Sequence, residues 1–198
     1  MLVASAQGRA YGSLLMSASP QPATYETLAV HSERPGFCVA HGGPLIVPIW
    51  TRTATAEHVD LVANVQREVL QEFPKFIVLT IIRAKLSMSV RDDVRERSRA
   101  NVDEFGDRTV RSVMVVEEGG LRASFFRSVV TGVYFLSRNS KSQKVSTTIE
   151  DGLDWLFEPL EAGVEGLPHI GLGAAARLRV DVKRFADDVS ERHPAVAD

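Results

Sequence analysis

A seven-residue run, Phe76–Ile82 (FIVLTII), apolar but for Thr80, sits between two stretches with helical spacing, and this arrangement constrains the fold most. A strand that is apolar throughout has to be covered on both faces, as in a parallel sheet flanked by helices. Before it, Val62, Val65, Val69 and Phe73 recur at intervals of three and four, with Thr55 as N-cap and Pro74 as terminator. After it, residues 90–105 form a highly charged helix with a thin stripe of Val90, Val94, Val102 and Phe105. Thr109–Val116 is the next strand, and 144–149 alternates as a last one. Strand-like and helix-like segments thus alternate from Thr55 to Phe157, and the fold class is α/β.

The opening is different. Residues 24–31 read as a strand and 33–36 as a turn, followed by strands at 37–40 and Leu45–Trp50. Pro48 assigns the third strand to an edge or a bulge, because proline has no N–H for a ladder. The expectation is an N-terminal antiparallel meander leading into a mixed sheet of four to six strands. Residues 121–136 read as a helix apolar on more than one side, either deeply buried or meeting a partner on one face, with Phe125, Phe126, Val130, Tyr134 and Phe135 as candidate interface anchors. A helix over 150–160 carries Leu153, Leu156, Phe157 and Leu160, and an extra C-terminal amphipathic helix covers 174–189. The domain organisation expected is a disordered extension over 1–23, an α/β domain over 24–162, and a loop plus helix over 163–198 that packs on the domain or extends from it. Met16 is an alternative start to Met1.

The 198 residues are 44% hydrophobic and 24% charged, ordinary for a globular protein. A net charge of −2 with a pI near 6.2 gives no reason to expect nucleic acid or an anionic membrane as partner. No run reaches the length of a membrane span, nothing resembles a signal peptide, and the cytoplasm is the expected location. Cys38 is the sole cysteine, so no internal disulfide forms, and it reads as a buried thiol without a neighbouring base.

Catalytic patterns are missing. The five histidines make no H-x-x-x-H or H-x-H pair, and Cys38 with His41 does not amount to a zinc site. Gly171, Gly173 and Ala176 match G-x-G-x-x-A at a helix start, but only 22 residues follow, too few for a second strand and its ribose-binding acid. Asp92, Asp93, Glu117 and Glu118 read as solvated carboxylates. The expectation is no catalytic residue, no cofactor and no metal. Basic residues crowd residues 83–111, where Lys85, Arg91, Arg95 and Arg99 form a candidate surface for an anion or acidic partner; interleaved acids favour a solvated, ion-paired face.

The element order βββ-α-β-α-β-α-β-α resembles the STAS / SpoIIAA-like family, more closely the small bacterial STAS/SEC14-like proteins. Phe76–Ile82, residues 87–91 and 113–116, and EDGLDWL from Glu150 carry the resemblance, over about residues 24–160. It implies a STAS-like regulatory or scaffolding module; such a module acts through protein contacts, and self-association is one form of that contact. It also implies a serine, phosphorylated to control partner binding, at the start of the helix after the central strand. Ser87 and Ser89 stand there without the Asp before and Gly after, and a plain N-cap role accounts for them too. A SEC14-like domain for a small apolar ligand or lipid is the alternative, and a hydrolase built from residues distant in sequence ranks third.

Overall fold

The computed structural model of the chain describes residues 25, 27–83, 91–117 and 142–195. Six strands form one sheet in the order in which they occur: β1 (Ala29–Arg34), β2 (Phe37–Gly42), β3 (Leu45–Trp50), β4 (Phe76–Ile82), β5 (Thr109–Val116) and β6 (Gln143–Ser146). β1, β2 and β3 pair antiparallel; β3 to β6 pair parallel. Helices α1 (Ala56–Glu72), α2 (Asp92–Phe105), α3 (Ile149–Ala162) and α4 (Leu172–Arg192) cover it. The α/β architecture with an N-terminal meander is therefore present.

The two faces have separate cores. Ile77, Leu79 and Ile81 of β4 join Leu45, Val47 and Ile49 of β3 under α3 and α4. Phe76 and Val78 point the other way, with Phe37, Val39 and Ile46, and meet Val62, Val65 and Val69 of α1 and Phe105 of α2. The period of two in a strand divides one apolar run between both layers. The helices α1 and α2, which join β3 to β4 and β4 to β5, lie on one face. The helices after β6 fill the other.

Several boundaries differ from the sequence expectation. The first strand covers Ala29–Arg34 rather than 24–31, because the chain turns only at Pro35 and Gly36, where Gly36 takes φ +81°. A β-carbon there would stand 2.6 Å from the Arg52 side chain, so glycine is needed on two counts. β2 continues to Gly42. Pro48 is not on an edge: β3 lies between β2 and β4. The two-residue turn at Gly43 and Pro44 fixes the alternation, and Pro48 falls at a position facing Val39 whose N–H would point to β4. The β3–β4 pairing lapses at Val47 and Pro48, so the missing donor is accommodated by a gap in the parallel ladder.

α1 starts on Thr55 and stops at Phe73, whose extended backbone (φ −122°, ψ 130°) is the shape a residue before proline prefers. α2 starts at Asp92, and its buried edge is narrower than the stripe suggests: Val94 and Phe105 are buried while Val102 is 45% exposed. At about 100° per residue, Val102 lies about 80° around the helix from Val94. β6 ends at Ser146 instead of 149, because Thr148 caps α3 and Ile149 already turns. α4 is longer than the 174–189 pattern at both ends.

Candidate functional site

Open α/β sheets take ligands beyond the carboxyl ends of their parallel strands, at a point where the strand order reverses. Here the order never reverses. The carboxyl ends still align, with Trp50, Ile82 and Val116 side by side and Ser146 opposite Val115. The residue after β4 is Arg83, tied in place by its N–H donating to the Trp50 carbonyl at 2.8 Å.

Arg83 organises this edge. Its Nε donates to Glu117, the residue after β5. Its Nη1 donates to the Ala186 carbonyl at 2.8 Å and the Ser190 hydroxyl at 2.9 Å, and its Nη2 lies 2.9 Å from Asp187. The side chain is 18% exposed. Burial works against its charge, but Glu117 and then Asp187 outweigh burial and keep the guanidinium protonated. Each nitrogen of the fork is engaged, and what it holds is the carboxyl half of α4. Lys183, one turn back, pairs with Glu150 of α3 at 2.8 Å.

At the end of β6 a second cluster forms. The buried Ser146 hydroxyl lies 2.6 Å from Asp151, which Lys144 also reaches at 2.8 Å, while the Asp151 N–H donates to the capping Thr148 hydroxyl. The bonds from Lys144 and Ser146 hold the Asp151 carboxyl below the usual range. This is a helix start braced by a strand. Ser146 is 3% exposed.

At the end of β3, the Trp50 Nε1 and Thr51 Oγ1 atoms are buried and have no hydrogen-bond partner among the described residues. Cys38 is fully buried; burial, with Glu33 adjacent on β1, pushes its thiol up to about 12, so it carries no thiolate at neutral pH.

The structure places three of the proposed anion-surface residues. Arg91 makes a two-pronged contact with Asp93 at 3.1 and 2.8 Å, and Arg95 lies 3.4 Å from Asp92. Arg99 has no ion pair among the described residues. Lys85, Ser87, Ser89, Phe125, Phe126, Val130, Tyr134 and Phe135 lie outside the described residues, as does Glu118. Asp92, Asp93 and Glu117 serve arginines rather than one another. Gly171 caps α4, and no strand follows it among the described residues.

Sequence reasoning missed the Arg83–Glu117 pair. Its signal was available: an arginine and a glutamate each directly follow an apolar strand run, and strands β4 and β5 turn out to be parallel neighbours. Among the described residues no group of three or more His, Cys, Asp or Glu side chains is placed to hold a metal ion, and no helix is long and apolar enough to cross a membrane. The class these features define is a mixed α/β domain with an ion-paired carboxyl edge. No family model, curated protein or solved structure gives a significant match to the chain.

Proposed function

We propose that this chain is a STAS-like regulatory or scaffolding module that works by protein–protein contact. The observation that carries the reading is the engagement of Arg83. The best-placed charge at the carboxyl edge donates to Glu117, Ala186 and Ser190 and pairs with Asp187, so its donors serve the fold. The serine of the β6 cluster and the thiol of Cys38 are buried in the same sense. What is left for function is surface: the charged outer side of α2, with Arg99 unpaired among the described residues, and the aromatic-rich sequence around Phe125 and Tyr134.

Sedimentation of the full chain, combined with affinity capture from its native extract, tests this. A self-associated form or a stoichiometric protein partner is expected, weakened by Phe126→Ser or Tyr134→Ser. A strict monomer that captures no protein would overturn the reading, and an apolar ligand retained in native mass spectrometry would replace it with the SEC14-like one.

A further inference from the structure

A capping box usually carries glutamate or glutamine three residues after the cap. Here that position is His58. The Thr55 hydroxyl accepts from the His58 N–H at 3.3 Å, and the Thr55 N–H donates to His58 Nδ1 at 3.4 Å. Nδ1 accepts only while it carries no proton, so the closed box contains a neutral imidazole with its hydrogen on Nε2. The residue is 6% exposed, and its ring stacks on Phe37 of β2, centroids 4.6 Å apart and planes 10° apart.

The charges that face this ring are few. Glu57 lies on the same turn and Arg34 comes from β1; these two pair with each other at 3.2 Å. From β2 the apolar Phe37 stacks on the ring. A proton added to His58 would therefore be buried, would sit at the positive end of the α1 dipole, and would face Arg34. It would also remove the acceptor that the Thr55 N–H uses.

We propose that His58 is a proton-operated latch, whose protonation opens the capping box and frees the first turn of α1 from the β1–β2 hairpin. Burial already holds the imidazole below its ordinary value, with Arg34 adding to the effect and Glu57 opposing it. The sign follows: the unfolded chain takes the proton more readily than the folded one. The latch is complete above the ordinary histidine value of about 6.5 and is lost as pH falls from there through the lower folded value. Release of the turn takes Glu57 away from Arg34. The other β1-to-α1 contact, His31 to Glu68 at 2.7 Å, is a separate tie between the strand and the helix. Acid thus loosens the Arg34 end of β1.

Trp50 packs on Phe37 at 5.1 Å and reports on the stack. In a Trp155→Phe background Trp50 is the only indole. Its emission, and the Thr55 and His58 amide resonances, would be followed from about pH 7.5 to about pH 5, the range in which histidines act as switches. The expected result is a one-proton step below the ordinary histidine value, with the Thr55 amide losing its bonded shift. His58→Gln keeps an acceptor at the box and should abolish the step, and His58→Glu serves should the glutamine variant fold poorly. No step in the parent, or a step that survives in either variant, would overturn the proposal.

Discussion

At the scale of single residues, close approach decides more than chemistry does. Gly152 lies in the first turns of α3, where glycine costs about 1 kcal/mol of helix propensity relative to alanine. The reason for it is across the interface. A β-carbon there would stand 3.0 Å from Val115, 3.1 Å from Val113 and 3.3 Å from Leu79, all fully buried and unable to move aside. Gly152→Ala should therefore gain little or nothing in spite of its propensity, whereas Gly152→Leu should lose about 3 kcal/mol through overpacking. Urea denaturation of both variants checks this, and a leucine variant as stable as the parent would refute it. The sequence shows the glycine within EDGLDWL, but its role depends on β4 and β5, both distant in sequence, and has no local signal. Thr55 was legible as a cap because caps are written in residue type. His58 was not legible as its partner, because histidine is not the residue a capping box leads one to expect. Glu33 teaches the same lesson: burial alone would raise its carboxyl, yet bonds from His193 and Arg192, more than 150 residues on, hold it below the usual range.

At the scale of elements, a proline inside a strand and one inside a helix show how a missing donor is absorbed. Pro48 leaves a gap in a ladder. Pro159, inside α3, cannot donate to the Trp155 carbonyl one turn back. The Arg111 guanidinium, from β5, donates to that carbonyl, stacks on the Trp155 ring at 4.3 Å and reaches Glu158 at 2.9 Å. Arginine thus replaces the lost helix bond and fastens α3 to the sheet. The two sites should be coupled. Arg111→Met should destabilise the parent by about 1–3 kcal/mol, the cost of an unsatisfied carbonyl. It should cost less in a Pro159→Ala background, where the helix supplies its own bond, and a double-mutant cycle measures the difference. Additive effects would show that Arg111 acts through its ring and acid contacts alone. β3, β4 and β5 were readable to the residue from hydrophobic runs bounded by breakers. β1 was misplaced, because an exposed edge strand with a bulge near His31 shows no clean alternation. That bulge has a use: it puts His31 on the α1 side and Glu33 on the α4 side, so one strand is ion-paired to both layers.

At the scale of the whole molecule, the same-face crossovers leave the other side of the sheet to the C-terminal third of the chain. The sequence leaves the helix of residues 163–198 either packed on the domain or extending from it, since Gly163, Gly166 and Pro168 interrupt the pattern before an amphipathic stretch. The structure makes α4 part of the core. Ala175, Leu178, Val182, Ala186 and Val189 are buried in one cluster with β3, β4 and α3, and Arg83 fastens the helix end to the carboxyl edge. Tyr25, ahead of β1, donates its hydroxyl to the Pro168 carbonyl at 3.1 Å, and Arg192 and His193 meet Glu33 at 3.0 and 2.7 Å. The two ends of the described chain are thus clasped together, and helix α4 closes the body rather than extending from it. A chain stopped after Gly171 should lose cooperative unfolding and bind a hydrophobic dye at neutral pH, because it uncovers the apolar α3 and β3–β4 surface that α4 seals. Removing only residues after Val189 should be milder: it keeps the buried stripe, Asp187 and the Ala186 carbonyl, and breaks the Ser190, Arg192 and His193 contacts. If the shorter chain instead melts cooperatively at the parent's midpoint, α4 is an appendage after all, and the core is complete with α1, α2 and α3.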